Sequence, residues 1–403
     1  MNIISFGVTD ANMLYPCASA LFSLVRSYFP YIFDEENRYS SSLTFKAGLM
    51  GLGMFLCLIF EIIRIHRTGG HYIQPLKKYK KKPHLIPLLI LSGFMDFFAF
   101  YMGGISSLGK DMNINETYII SFMMIFEFLF VYFIYHFFYK TREFKRHHLF
   151  SIGLIVTGTI CSVGAHFKYF SWIHLFSLCS SIDISFMEIL LYKLMTENGD
   201  YLSHFEITWI QGFIDFTISF ILSLIFNMVP CDDYIKNPYC SKNGKVVDLI
   251  GNFQSIFTSY KTILQVLVYI VMSTGKNVYK ILTTKVLGPT HRIISDGIIS
   301  VITLIFALDK QEKNIMISFQ IIGHILLISG ILVYNEIVIL HFCNLDELTK
   351  KGIIERITED GEGEQKAELL EQVARSSNHP SEPVPSNENE NDISKIDHSK
   401  LDF

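Results

Sequence analysis

The chain has 403 residues, of which 50% are hydrophobic and 18% are charged, and its formal net charge is −4. A soluble domain has roughly 25% charged residues, so this composition, with its 35 Phe and 20 Tyr, argues against an ordinary soluble domain and indicates a membrane protein. The net charge says little about binding partners, because much of the acidic charge lies in the C-terminal tail.

A membrane-spanning helix needs about 20 mostly apolar residues. Windows that meet this criterion predict an all-α polytopic membrane protein with ten spans, numbered here in chain order. They are residues 9–33, 43–66, 84–106, 116–139, 147–168, 171–195, 204–229, 258–286, 289–309 and 316–341. The first residues show neither a basic region nor a clear cleavage site, so we expect no secretory signal.

Basic residues are concentrated in the connections that follow even-numbered spans. After the second and fourth spans these residues are Arg64, Arg67, Lys77, Lys78, Lys80, Lys81, Lys82, Lys140, Arg142, Lys145 and Arg146. The positive-inside rule therefore predicts that these connections and both termini are cytoplasmic. The lysine run after the second span could also bind anionic lipid.

Two features agree with a lumenal position for odd-numbered connections. A glycosylation sequon, Asn115-Glu116-Thr117, precedes the fourth span. Cys231 and Cys240 lie in the connection after the seventh span, where an oxidising compartment would permit a disulfide. No His/Cys group has metal-ligand spacing, so no metal and no cofactor is expected.

The chain divides into two five-span halves, residues 1–168 and 169–345, and a polar tail, residues 346–403, that we predict to be disordered and cytoplasmic. The halves share short matches: YIIS (118–121) opens the fourth span and RIIS (292–295) opens the ninth. HLFSIGLIVTG (148–158) likewise echoes SFQIIGHILLISG (318–330). Because five is odd, the second copy would insert upside down, and such inverted repeats are typical of secondary transporters.

Polar side chains interrupt the eighth and ninth spans. They are Lys276, Asn277, Lys280, Lys285, Arg292 and Asp296. A charge at mid-bilayer depth costs about 2.5–3.5 kcal/mol on insertion scales, so such a cluster must face a protein interior or an aqueous cavity. The cluster predicts that the chain binds or moves something polar within the membrane.

The C-terminal half also carries a recognisable pattern. Asn277, Lys285, Thr290-His291-Arg292 and Asp296, followed by FQIIG (319–323) and Tyr334-Asn335, resemble the F branch of the solute carrier 35 family. That family belongs to the drug/metabolite transporter superfamily, alongside nucleotide-sugar transporters. The resemblance implies a ten-helix fold, secondary active transport and an endomembrane location such as Golgi, endoplasmic reticulum, lysosome or endosome. The chain departs from the pattern at Met54, where an acid is expected, at Gln211, where Glu is expected, and at Ile299, where Arg is typical.

The predicted substrate-binding residues are Lys276, Asn277, Lys280, Lys285, Thr290 and Arg292. Gly288-Pro289 is typical of one helix ending and the next beginning, and the new helix N-terminus, with Thr290, would favour a phosphate or carboxylate. Alternatively, Lys285 and Arg292 extend to the headgroups. Asn277 could contact a sugar or base, or tie its helix to a neighbour.

The acidic residues are predicted to gate or couple transport. Asp296 lies one turn from Arg292, so we expect a structural pair that becomes a gate if substrate opens it. Lys276 and Lys280 need an anionic substrate or a carboxylate partner, for which Asp96, Asp183, Glu188 and Asp215 are the candidates. Asp96 and Glu127 could carry a proton, or could be buried carboxyl groups without a transport role.

These observations favour a secondary transporter that moves a small polar, anionic metabolite by alternating access, with the lipid bilayer and the substrate as its partners. The alternative is a membrane scaffold or receptor that retains the transporter fold without transport. No nucleophile–base set indicates an enzyme, and no nucleic-acid partner is expected. Asn335 and Glu336, near the end of the tenth span, are predicted to serve folding or the contacts of a homodimer.

Overall fold

The architecture is mostly helical. The computed structural model describes residues 4–6, 14–29, 42–67, 79–80, 82–107, 126–127, 130–131, 133–134, 146–164, 174–197, 202–231, 244–293, 296, 299, 302, 315–343, 345–346 and 349. Most of the predicted fourth and ninth spans, the sequon at Asn115 and the tail from residue 350 lie outside these ranges.

Ten named helices and two short strands make up the described part. The helices are α1 (Leu14–Tyr28), α2 (Leu43–Phe55), α3 (Cys57–Arg67), α4 (Leu85–Ser107), α5 (Arg146–Gly164), α6 (His174–Glu197), α7 (His204–Met228), α8 (Leu249–Ile256), α9 (Tyr260–Leu287) and α10 (Ile315–Tyr334). The strands are β1 (Ile4–Phe6) and β2 (Val338–Leu340), which pair antiparallel.

Helices occupy most of the predicted spans. α1 lies within the first span, α2 and α3 form the second with a break at Leu56, and α4, α5, α6, α7, α9 and α10 correspond to the third, fifth, sixth, seventh, eighth and tenth. Two predictions need correction. The tenth helix ends at Tyr334 rather than residue 341, and the following chain forms β2, so the fold is not entirely α-helical. In addition, the short α8 precedes α9.

A serine side chain caps the N-terminus of three of these helices. Ser42, Ser203 and Ser259 accept hydrogen bonds from the backbone N–H groups of Phe45, Glu206 and Thr262, respectively. Such caps satisfy N–H groups that have no carbonyl partner in the first helical turn. At the other end of α9, Gly288 adopts φ 95°, which terminates the helix at the predicted break. The chain is helical again at residues 289–293.

Four helical segments are long and apolar enough to cross a membrane: Leu43–Arg67, Leu85–Ile105, Leu175–Thr196 and His204–Met228. A fifth joins them if α8 and α9, which meet at a bend of 106°, count as one span. Within the described ranges this is fewer than the ten spans that the sequence predicts.

These helices expose apolar side chains and bury polar ones. On α7 the exposed face carries Phe213, Phe220 and Ile221, whereas the buried face carries small or polar residues. The buried residues are Glu206, Ile207, Thr208, Gln211, Gly212, Asp215, Ser219 and Ser223, and all of them except Ile207 are small or polar. A helix with its polar stripe inside and its apolar face outside is suited to lipid on the outside and to helix–helix contact on the inside.

Glycines allow two helix pairs to approach closely. A Cβ on Gly212 of α7 would lie 2.4 Å from the backbone N of Phe55 and 2.7 Å from the carbonyl O of Gly51, both in α2. A Cβ on Gly158 of α5 would lie 2.6 Å from the carbonyl O of Gly323 in α10. Only a residue without a side chain fits such backbone contacts. The remaining main contacts join α1 to α9 and α4 to both α6 and α7.

Candidate functional site

A cluster of ionisable side chains lies at the centre of the helix assembly. Asp96 is near the middle of α4, Asp215 near the middle of α7, and Lys276 and Lys280 lie in the second half of α9. At 1.5 Å per residue, Asp96 is about 16 Å from the start of its helix, which is close to mid-membrane depth if α4 crosses a bilayer. The cluster therefore joins helices from both predicted halves of the chain.

Lys280 is neutralised by Asp296. Its Nζ lies 2.9 Å from Oδ2 of Asp296, and the two side chains are only 11% and 16% exposed. Asp296 is therefore paired with Lys280 rather than with Arg292, although Arg292 is close enough to interact with it electrostatically. The partner of Lys280 is also none of the four acids proposed for it. The pair joins α9 to the segment that follows the Gly288-Pro289 break.

Arg292 instead pairs with Glu188. Its Nε lies 2.7 Å from Oε1 of Glu188, whose side chain is fully buried, and the Arg292 side chain is 6% exposed. A buried guanidinium next to a carboxylate does not reach the headgroups, so the alternative of an arginine extended to the membrane surface is wrong. Spacing along one helix suggested the nearer acid, but the deeper acid on α6 is the one that the packing brings to Arg292.

Two carboxyl–carboxyl contacts complete the cluster. Glu188 lies close to Glu127 of the fourth predicted span, and Asp96 lies close to Asp215. Neither oxygen of Asp215 has a conventional donor among the described residues. The cluster thus contains more carboxyl groups than the two, Asp296 and Glu188, that form ion pairs with Lys280 and Arg292.

Lys276 and Asn277 face the same region from α9. Lys276 is electrostatically close to Lys280 and Asp296, and it has no ion pair within 4.0 Å among the residues that the structure describes. Asn277 donates from Nδ2 to the sulfur of Met54 at 3.0 Å. Met54 is fully buried, and a thioether is a weak acceptor. Met54 is the α2 residue at which the sequence departs from the solute carrier 35 pattern, which has an acid at this position.

A small cavity lies among these side chains. It is lined by Asp96, Met187, Leu191, Gln211, Asn277, Lys280, Ile281 and Arg292 and measures about 10 Å³. This is room for about one water molecule, so the centre is polar and narrow. Four predicted site residues, Asp96, Asn277, Lys280 and Arg292, thus share one cavity.

Three predicted binding residues, Lys276, Lys285 and Thr290, do not line the cavity. Lys285 interacts electrostatically with His204 at the start of α7, near one end of the assembly. Thr290 is 5% exposed, in the first turn after the break.

A second polar network, which sequence reasoning missed, closes the end of the assembly where α3 finishes and α7 starts. Arg64 donates to both oxygens of Glu61, at 2.9 and 2.6 Å, and Ser203 donates to Glu61 Oε2 at 2.6 Å. Tyr79 donates to Glu206 at 2.5 Å, and burial raises the pKa of its phenol. The signal that could have found this network is the capping pattern of Ser203 followed three residues later by Glu206.

Cys231 is disulfide-bonded. Its predicted partner, Cys240, lies outside the described residues. Cys17, Cys57, Cys161, Cys179 and Cys343 are free.

Comparison with known proteins adds little about function. No family model matches the chain, and no curated protein matches it. A solved structure described as "Crystal structure of protein" is similar over 80% of this chain and 96% of its own length, with 11% sequence identity and a TM-score of 0.45.

Proposed function

We propose that the chain is a secondary transporter of a small polar, anionic metabolite and that it works by alternating access of two inverted five-helix halves. The observation that carries this proposal is the cluster of buried Lys280 and Arg292 and half-buried Lys276 with its carboxyl neighbours, at a junction of helices from both halves. Ionisable residues at such depth are expensive, and in membrane proteins they mark pathways for substrates and protons. By resemblance to the solute carrier 35 family, a nucleotide-sugar is one candidate substrate.

The pattern of helix contacts supports two related halves. An exchange of the two halves would replace each span by the one five positions away in chain order. The contact of α1 (first span) with α9 (eighth span) then becomes the contact of α6 (sixth span) with α4 (third span), and both contacts are among the most extensive. The contact of α2 with α9 becomes that of α7 with α4 in the same way. The pairs α2–α7 and α5–α10 map onto themselves, and each is the glycine-mediated crossing of a helix with its counterpart.

The pairing of β1 with β2 supports the predicted placement of the two ends of the chain. Ile4 lies opposite Leu340, so the N-terminal residues and the residues after the tenth span meet at one end of the assembly. An even number of spans requires this arrangement, and cytoplasmic termini are the proposal that the basic connections favour.

The charges suggest how transport would proceed. Lys276, which has no ion pair within the described ranges, would attract the anion first. Lys280 and Arg292 are neutralised in the narrow centre by Asp296 and Glu188. Separation of the helices would open these pairs and let the substrate replace the carboxylates. The carboxyl groups of Asp96 and Glu127 would then bind and release protons and so couple the cycle to a pH gradient.

The narrow centre corresponds to one state of such a cycle. A cavity of about 10 Å³ does not hold a metabolite, so binding requires the helices to move apart. One end is closed by the Glu61–Arg64–Ser203 network. Near the opposite ends of α2 and α7, Asn252 donates to Ser42 at 3.3 Å and Phe45 packs edge-on against Phe253. An occluded state with both ends shut is required whenever access alternates.

Uptake into liposomes tests the proposal. Purified protein, with and without an imposed pH gradient, is screened against labelled nucleotide-sugars and organic anions. We expect saturable uptake that Lys276→Met lowers by more than about tenfold, the loss of one buried charge contact, while Lys193→Ala on the exposed face of α6 has no effect. Absence of uptake for every substrate by folded protein would overturn the proposal.

One observation favours the alternative of a scaffold or receptor. Met54 offers a thioether to Asn277 at a position where the family pattern has an acid, which removes a charge from the centre. This alternative predicts that Lys276→Ala and Lys280→Ala variants that still fold leave the cellular phenotype unchanged.

A further inference from the structure

Three potential metal ligands meet at one end of the α5–α10 helix pair. His147 and His148 lie in the first turn of α5, and Glu336 follows the last turn of α10. One ligand atom from each of the three residues lies within 4.8 Å of the other two. The meeting is a product of the tertiary fold, since His148 and Glu336 are 188 positions apart along the chain.

The two histidines are buried, and the ring nitrogens of His147 are not satisfied. His147 is 2% exposed and His148 is 7% exposed. Neither ring nitrogen of His147 makes a hydrogen bond within the part of the chain that the structure describes. Buried polar atoms in proteins almost always have a partner, so an imidazole with two unsatisfied nitrogens next to a carboxylate indicates a missing ligand.

The geometry fits a tetrahedral metal. Nε2 of His147 lies 3.3 Å from Oε1 of Glu336. Two ligands on a tetrahedral Zn²⁺ with bonds of 2.0–2.1 Å are about 3.3–3.4 Å apart. His148 packs against Tyr334 with ring centroids 4.6 Å apart, which holds its ring close to the other two ligands.

We propose that His147, His148 and Glu336 bind one Zn²⁺, with a fourth position open to water. Two imidazoles and one carboxylate are an established ligand set for zinc, whereas Mg²⁺ and Ca²⁺ prefer oxygen ligands alone. The metal ties the start of the fifth span to the end of the tenth. It therefore links one predicted half of the chain to the other at one end of the α5–α10 helix pair, whose two helices approach closely at Gly158 and Gly323. This inference is independent of the transported substrate.

The test uses tag-free, full-length protein in detergent, stripped of metal by a chelator and then titrated with Zn²⁺. Elemental analysis is expected to give about one Zn²⁺ per chain, and the midpoint of thermal unfolding is expected to rise with Zn²⁺, because a ligand that binds only the folded state stabilises it. Substitution of Co²⁺ is expected to give the visible absorption bands of a tetrahedral site. His147→Ala and Glu336→Gln are each expected to weaken binding by more than about tenfold.

His66→Ala, an exposed histidine outside the group, is the matched control and retains full binding. Glu336→Gln keeps the size of the side chain, so it remains informative if His147→Ala does not fold. Stoichiometric binding that survives both substitutions would place the metal elsewhere and overturn the proposal. So would a wild-type protein whose unfolding midpoint does not respond to Zn²⁺.

Discussion

Lys280 and Asp296 form an ion pair at 2.9 Å across the chain reversal at Gly288-Pro289. Both side chains are largely buried, and the contact fixes the segment after the break against α9. Breaking a buried pair leaves a charge without a counter-ion, which costs more than removing both members. The pair therefore stabilises the fold mainly because each residue supplies the counter-ion of the other.

The two single substitutions at this pair should behave differently from the double substitution. Lys280→Met and Asp296→Asn are each expected to destabilise the fold by about 3–5 kcal/mol, whereas the double variant should recover a large part of the loss. Thermal unfolding in detergent measures the three values as a double-mutant cycle. Simple addition of the two single effects would show that the residues do not interact, and Lys193→Ala serves as the surface control.

The Glu127–Glu188 contact predicts an asymmetry between two similar substitutions. Glu127→Gln keeps the size and polarity of the side chain and leaves the Arg292–Glu188 ion pair intact, so we expect a small loss of stability, under about 1.5 kcal/mol. Glu188→Gln removes the counter-ion of buried Arg292 and is expected to cost about 3–5 kcal/mol. Unfolding midpoints of the two variants, compared side by side, provide the measurement. Equal losses would argue against the assignment of Glu188 as the partner of Arg292.

Glycine at the crossing of α2 with α7 is predicted to be essential for packing. Gly212→Ala places a Cβ 2.4 Å from the backbone N of Phe55, so the helices must separate, at about 1–3 kcal/mol. Gly153 is the matched control, because a Cβ there meets nothing within 4 Å. Gly153→Ala should be neutral or stabilising by up to about 1 kcal/mol, the difference in helix propensity. Monodispersity on size exclusion and the unfolding midpoint distinguish the two outcomes.

Ser203 is predicted to serve both α7 and the closure of one end. It accepts from the N–H of Glu206 at 3.0 Å and donates to Glu61 at 2.6 Å. Ser203→Ala removes a helix cap and one charge-assisted hydrogen bond, so we expect a loss of about 1–3 kcal/mol. Ser203→Thr, which retains the hydroxyl, should recover most of it. If both variants unfold at the same temperature, the hydroxyl has no such role.

The partner of Cys231 can be identified chemically. Mass spectrometry of a non-reducing digest is expected to recover the Cys231 peptide joined to the Cys240 peptide, and reduction should release both. The joined pair would place the connection after the seventh span in an oxidising compartment, in agreement with the predicted orientation. A Cys231 peptide recovered free or joined to a different cysteine would contradict it.

The sequence predicted most helices because length and hydropathy are properties of a segment by itself. The ranges of α4 and α7 agree with the predicted third and seventh spans to within about two residues, a common uncertainty for helix ends. The prediction made the tenth span too long. The apolar residues after Tyr334 instead form β2, which pairs with residues near the N-terminus. That pairing depends on a partner more than 300 residues away, which hydropathy does not detect.

The sequence by itself determined that charged residues would lie within apolar helices and would have to turn away from lipid, because the cost of exposing them there depends only on the residue and its depth. Only the tertiary structure decided which charges meet. Arg292 lies one turn from Asp296 along the helix, yet packing brings it to Glu188 of α6 and leaves Asp296 to Lys280. Electrostatic energy follows distance in space rather than separation along the chain, and those distances are set by the close approach of the helices, at positions such as Gly212 and Gly158.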